Sequence, residues 1–124
     1  MGQALQRAIL IVEDEPLIRH DLMDFFEDHG FRVLEAGNAD EAIGVLNNNS
    51  AIQIVLTDVQ MPGSMDGIRL AHFIRDRYPP TILIVASGAV KSNMADLPDH
   101  SMFVTKPFDP RAVLRQIERM SARN

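Results

Sequence analysis

The chain has 124 residues, 46% of them hydrophobic, enough for one domain with a buried core and short for two. A net charge of −5 and a pI near 5.2 argue against non-specific nucleic-acid binding, because Lys and Arg are outnumbered and scattered rather than gathered into a basic stripe. The absence of cysteine excludes disulfides, thiolate metal ligands and a thiol nucleophile, and fits a reducing cytoplasm.

The first apolar run, AILIV, predicts a strand at about Ala8 to Glu13. The segment before it carries a single basic residue and meets acids directly after the run, so no secretory signal is expected. A helix should follow over Pro16 to Asp28, with Pro16 in a first turn where its missing N–H is harmless, Ile18, Leu22, Phe25 and Phe26 on the inner face, and Gly30 as the stop. A second strand, Arg32 to Ala36, leads to Asn38, which stands three residues before Glu41 at the spacing of a capping box. The helix it opens turns Ala42, Ile43 and Leu46 inward and ends in the polar run NNNS.

A third strand is predicted over Gln53 to Thr57, then a helix over Gly67 to Arg77, capped by Asp66, carrying Leu70, Ala71 and Ile74 inward and stopped by Pro79 and Pro80. Strands at Ile82 to Ala86 and Met102 to Thr105 flank a region where a fourth helix should be short, distorted or absent. Pro98 interrupts it, and only Met94 and Leu97 offer an apolar face. A last helix from Asp109-Pro110 turns Val113, Leu114, Ile117 and Met120 inward. The longest uncharged apolar stretch, TILIVASGAV, is far below the roughly 18 residues of a membrane span. Alternation of short apolar runs with helical stretches predicts one α/β domain, a five-stranded parallel sheet covered by helices on both faces.

Three acids and one lysine stand where these strands stop. Glu13 and Asp14 close the first strand, Asp58 closes the third, and Lys106, just before Pro107, closes the last. In an open parallel sheet the ligand site lies beyond the carboxyl ends of the strands. Carboxylates about 4 Å apart repel by as much as ~4 kcal/mol per pair at an effective dielectric near 20, so such a cluster needs solvent, protons or a cation. Oxygen ligands without His or Cys favour Mg²⁺, and Lys106 suits a phosphoryl oxygen. His20, His29, His72 and His100 share no ligand spacing and are expected at the surface. The chain has neither GxGxxG nor a Walker-type loop, so a nucleotide site is not expected.

The motifs VEDE, TDVQMPGSMDG, VASG and FVTKPF, in this order and at these strand ends, resemble the receiver domain of two-component response regulators over about Ala8 to Met120. The resemblance implies a flavodoxin-like doubly wound sheet of order 2-1-3-4-5. It also implies that Asp58 is the phosphoacceptor, attacking a phosphohistidine of a sensor histidine kinase or phosphotransfer protein. Mg²⁺ would be held by Asp14, Asp58 and the backbone carbonyl of Gln60, with Glu13 acting largely through water. Lys106 would pair with the acceptor and then with the phosphoryl group, and the Lys106-Pro107 bond would be cis. Ser87 and Phe103 would be the switch pair, a hydroxyl and an aromatic ring that move on phosphorylation. The chemistry would be self-catalysed rather than that of a turnover enzyme, and the output would be a change in a surface offered to a downstream protein or a second copy of the chain. A receiver-fold docking module that ignores phosphate is the alternative.

Two features depart from the family pattern. The loop MPGSMDG is longer by one residue, and the stretch from Ser87 to Phe103 is shorter than in the chemotaxis-regulator type. Signalling through a rebuilt face is the expectation that follows.

Overall fold

The computed structural model describes residues 7–61, 63, 65–88 and 97–122. Five strands, β1 (Ala8–Val12), β2 (Arg32–Ala36), β3 (Ile52–Asp58), β4 (Ile82–Ser87) and β5 (Ser101–Thr105), pair in parallel in the order β2-β1-β3-β4-β5. The described helices are α1 (Pro16–Asp28), α2 (Ala39–Asn48), α3 (Gly67–Arg77) and α4 (Pro110–Ala122). The architecture is the one expected. Most of the region anticipated as a weak fourth helix, residues 89–96, lies outside the described residues.

All five residues of β1 are buried because both faces of the sheet are covered. Ala8, Leu10 and Val12 pack with Ala42 and Leu46 of α2 and with Leu70 and Ile74 of α3. Ile9 and Ile11 point the other way, toward Leu22 and Phe26 of α1 and Val113 and Ile117 of α4. The period of two along the strand therefore assigns one pair of helices to each face. Each of these large side chains contributes about 1.5 to 3 kcal/mol by leaving water.

The helix ends are closed by the residues that the sequence marks for it. At the end of α1, Gly30 adopts φ 88°, Phe31 N–H bonds Phe26 O and Gly30 N–H bonds Glu27 O, both at 3.0 Å, which is a Schellman closure. Asn38 Oδ1 accepts from Glu41 N–H at 2.9 Å, while Glu41 reaches back to the N–H of Gly37 at 2.7 Å, one residue earlier than the usual box. Asn48 and Asn49 donate to the carbonyls of Gly44 and Val45 at the other end of α2. Asp66 Oδ1 accepts from Arg69 N–H at 2.9 Å, and Asp109 Oδ1 from Arg111 N–H at 2.9 Å.

One inward assignment is corrected. Ile18, expected on the buried face of α1, is 41% exposed, next to Leu17 at 80%. The first turn of α1 begins beyond the end of β1 and overhangs the edge of the sheet, so a helical period that continues to Leu22 and Phe26 finds no strand beneath it at Ile18.

Candidate functional site

Strand register assembles the site. Val12 pairs with Thr57, so the next residues, Glu13 and Asp58, become neighbours; Asp58 pairs with Ala86, which places Ser87 beside it; and Ser87 pairs with Thr105, which brings up Lys106. Backbone bonds carry this edge past the strands proper. Glu13 N–H donates to Ala36 O at 3.0 Å, Val59 N–H to Ala86 O at 2.9 Å and Lys106 N–H to Ser87 O at 2.9 Å.

The side chains converge as the sequence predicts. Glu13, Asp14 and Asp58 each offer an oxygen lying within 4.8 Å of the others. Lys106 Nζ donates to Asp58 Oδ2 at 2.9 Å and to Glu13 Oε1 at 3.1 Å. Glu13 and Asp58 are buried, while Asp14 is exposed at the rim. Burial pushes the Glu13 carboxyl above its ordinary pKa, against the opposing pull of the Glu15 N–H and the Lys106 ammonium. For Lys106, burial alone would lower the pKa, but hydrogen bonds to Asp58 and Glu13 outweigh it and the net direction is upward. The lysine is therefore a fixed positive charge at neutral pH.

Ser87 is buried at the tip of β4, and Phe103 is partly exposed on β5 opposite Val85. Gln60 N–H approaches Asp58 Oδ1 at 3.3 Å, which places residue 60 against the acids. The Lys106-Pro107 bond is cis. The four histidines are exposed.

Three contributors were not legible as site residues. Thr57, 1% exposed, donates its hydroxyl to the Asp58 carbonyl at 3.0 Å. Gly67 lies so close to the backbone of Asp58 that a Cβ there would stand 2.0 Å from the Asp58 carbonyl oxygen. Arg19 Nη1 donates to the backbone carbonyl of Glu13 at 2.7 Å. A cation one turn into the helix that follows the acids was the signal for Arg19; Thr57 carries no signal beyond its place just before Asp58, and Gly67 none beyond opening α3.

The residues fit a hard divalent cation. Three carboxylates without an imidazole or thiolate suit Mg²⁺, whose opposite ligands stand about 4.2 Å apart, so the cluster spans an octahedral ion if one acid reaches it through water. The hollow under the acids measures only about 10 Å³. A cleft of about 600 Å³ opens instead at the amino ends of the strands, between Arg7, Ile52, Arg77, Pro79 and Thr81, with no acid or histidine in its lining.

The model of the response regulator receiver domain family matches residues 9–118. The chain is similar to the response regulator protein FleR of Pseudomonas aeruginosa, 36% identical over 114 residues, 90% of this chain and 24% of FleR. It is also similar to the transcriptional regulatory protein ResD of Bacillus subtilis, 33% identical over 128 residues, 99% of this chain and 51% of ResD. It thus spans only about a quarter to a half of these relatives. Among solved structures, a response regulator receiver protein from Pseudomonas putida matches with a TM-score of 0.83 at 26% identity, covering 94% of this chain and 99% of that one. The receiver domain of the hybrid histidine kinase CckA matches with a TM-score of 0.76 at 28% identity, covering 90% and 96%. With its strand order, its edge of acids and lysine and this match over nearly its whole length, the chain belongs to the response regulator receiver domain family.

Proposed function

We propose that this chain is a phosphoacceptor signalling switch of a two-component system, taking a phosphoryl group from a sensor histidine kinase or phosphotransfer protein onto Asp58. The observation that carries the reading is the buried Asp58 carboxylate paired with Lys106 Nζ at 2.9 Å inside the three-acid cluster. A carboxylate oxygen of Asp58 attacks phosphorus; the O–P bond forms as the N–P bond of phosphohistidine breaks, and the electron pair returns to the imidazole nitrogen, which is reprotonated from solvent. Lys106 stays protonated and offers its N–H groups to the phosphoryl oxygens, and Ser87 supplies a hydroxyl from the adjacent strand end. Asp14, Asp58 and the Gln60 carbonyl, with Glu13 through water, would hold Mg²⁺, which when bound supplies charge neutralisation for the equatorial oxygens.

Two features support a protein donor over a diffusible substrate. Among the described residues the hollow at the acids is only about 10 Å³, and Leu17 and Ile18 present apolar surface on the helix that follows Glu13 and Asp14. No helix among the described residues is long and apolar enough to cross a membrane. The added charge at the strand ends, with Ser87 and Phe103 as the moving parts, then alters the surface offered to a downstream protein, without turnover of a separate substrate.

The test is incubation with acetyl phosphate and Mg²⁺, followed by reduction of the acyl phosphate and peptide mapping. A single adduct at Asp58, absent in Asp58→Asn, is expected. Mapping to another residue, or no adduct, would leave the phosphate-independent docking module as the better account.

A further inference from the structure

The geometry points to Arg19, braced by Glu35, as a positioning residue for the cation site, acting through the peptide group that joins Glu13 to Asp14. This inference rests on the reading of the acid cluster as a Mg²⁺ site. Arg19 lies on α1 with its side chain 17% exposed, and its guanidinium makes two bonds in different directions. Nε donates to Glu35 Oε1 on β2 at 2.8 Å, and Nη1 donates to the Glu13 carbonyl at 2.7 Å.

The Glu13 carbonyl and the Asp14 N–H are two ends of one planar unit, so fixing the carbonyl fixes the plane from which Asp14 leaves. The rest of the turn is pinned on the Glu13 side. Glu13 N–H bonds Ala36 O at 3.0 Å, and Glu13 Oε2 accepts from Glu15 N–H at 3.1 Å. Asp14 itself is exposed. Its oxygen therefore depends on the orientation of the backbone on either side of it, and Arg19 sets the upstream half. Glu35 matters because it orients the planar fork of Arg19 and balances its charge, which would otherwise stand beside a site meant for a cation.

The test is Mg²⁺ titration by calorimetry of wild type and the double variant Arg19→Gln/Glu35→Gln. The pair removes one positive and one negative charge, so net charge is unchanged and the experiment reads positioning. Mg²⁺ affinity is expected to fall roughly ten-fold, at the lower end of what loss of an outer partner costs a metal site. The Asp14 amide resonance, which reports the hydrogen bond on the other end of its own peptide group, should shift in the metal-free variant. Glu35→Gln alone, a change at a half-exposed position of β2, should weaken Mg²⁺ in the same direction and keeps the test valid should the double variant fold poorly. Equal affinity in wild type and both variants would overturn the inference alone; no Mg²⁺ binding by wild type would overturn it together with the cation site.

Discussion

Replacing Gly67 with alanine should be among the most damaging single-carbon changes available to this protein. The added Cβ would meet the Asp58 carbonyl oxygen at 2.0 Å, its carbon at 2.8 Å and Val59 Cα at 2.9 Å, all backbone atoms that cannot rotate aside. A carbon and an oxygen rest at about 3.2 Å or more without a bond, so α3 and the end of β3 must part by roughly 1 Å, which overpacking data place at about 1 to 3 kcal/mol. That displacement also strains the Gly67 N–H to Val59 O bond, now 2.8 Å, at a further cost of about 1 kcal/mol. The sum, about 2 to 4 kcal/mol, corresponds to a melting point lower by roughly 10 °C for a domain of this size. Gly44 supplies the control, because it sits in the interior of α2 with nothing within 4 Å of its Cβ position. Alanine there should stabilise by about 0.5 to 1 kcal/mol through helix propensity. Urea denaturation of the two variants should move in opposite directions. Loss of less than about 0.5 kcal/mol in Gly67→Ala would refute the argument that the helix start and the Asp58 backbone are in contact.

Lys106→Met leaves two buried carboxylates without their shared ammonium and should cost about 2 to 4 kcal/mol in EDTA at neutral pH, a range reduced because the lysine is partly exposed; Mg²⁺ should recover part of it, as read by melting with and without the ion. The raised Glu13 pKa means that the folded, metal-free protein holds this proton more tightly than the unfolded chain does. Its contribution to stability is thus full below about pH 4.5 and is lost as pH rises through the folded value. The stability of Glu13→Gln relative to wild type, measured in EDTA, should therefore improve with rising pH over that window, and a flat difference would contradict the assigned burial. Arg75→Leu removes donors that bind the carbonyls of Pro79, Thr81, Asp99 and His100, and should lower stability by about 2 kcal/mol while leaving acetyl-phosphate labelling of Asp58 intact.

The strands and helices were legible because the chain is locally consistent. Apolar runs of strand length end in acids, and periodic stretches are bracketed by Asn38, Asp66, Pro16 and Gly30, each performing at the helix end the task that its chemistry suits. The acids and Lys106 were legible for the same reason, since a charge that terminates a buried strand must lie at the sheet edge. Ile18 was misread because periodicity assigns a side to a residue but does not say how far the sheet extends beneath it. Gly67 read as a helix opener, which it is, yet its contact with Asp58 depends on a distance between chain segments that no local pattern encodes. The bonds of Arg19 to β2 and to the Glu13 carbonyl are likewise tertiary facts.

The four-carbonyl grip of Arg75 has a mechanical consequence. It ties the stretch just ahead of β4 to the stretch just ahead of β5, so both strands are clamped at their upstream ends like cantilevers sharing one wall. At their other ends β4 stops at Ser87 and β5 just before Lys106, both at the acidic edge that holds Asp58. A push applied at that edge is resisted at the base, so it loads the pairing of β4 with β5 instead of tilting either strand about its start.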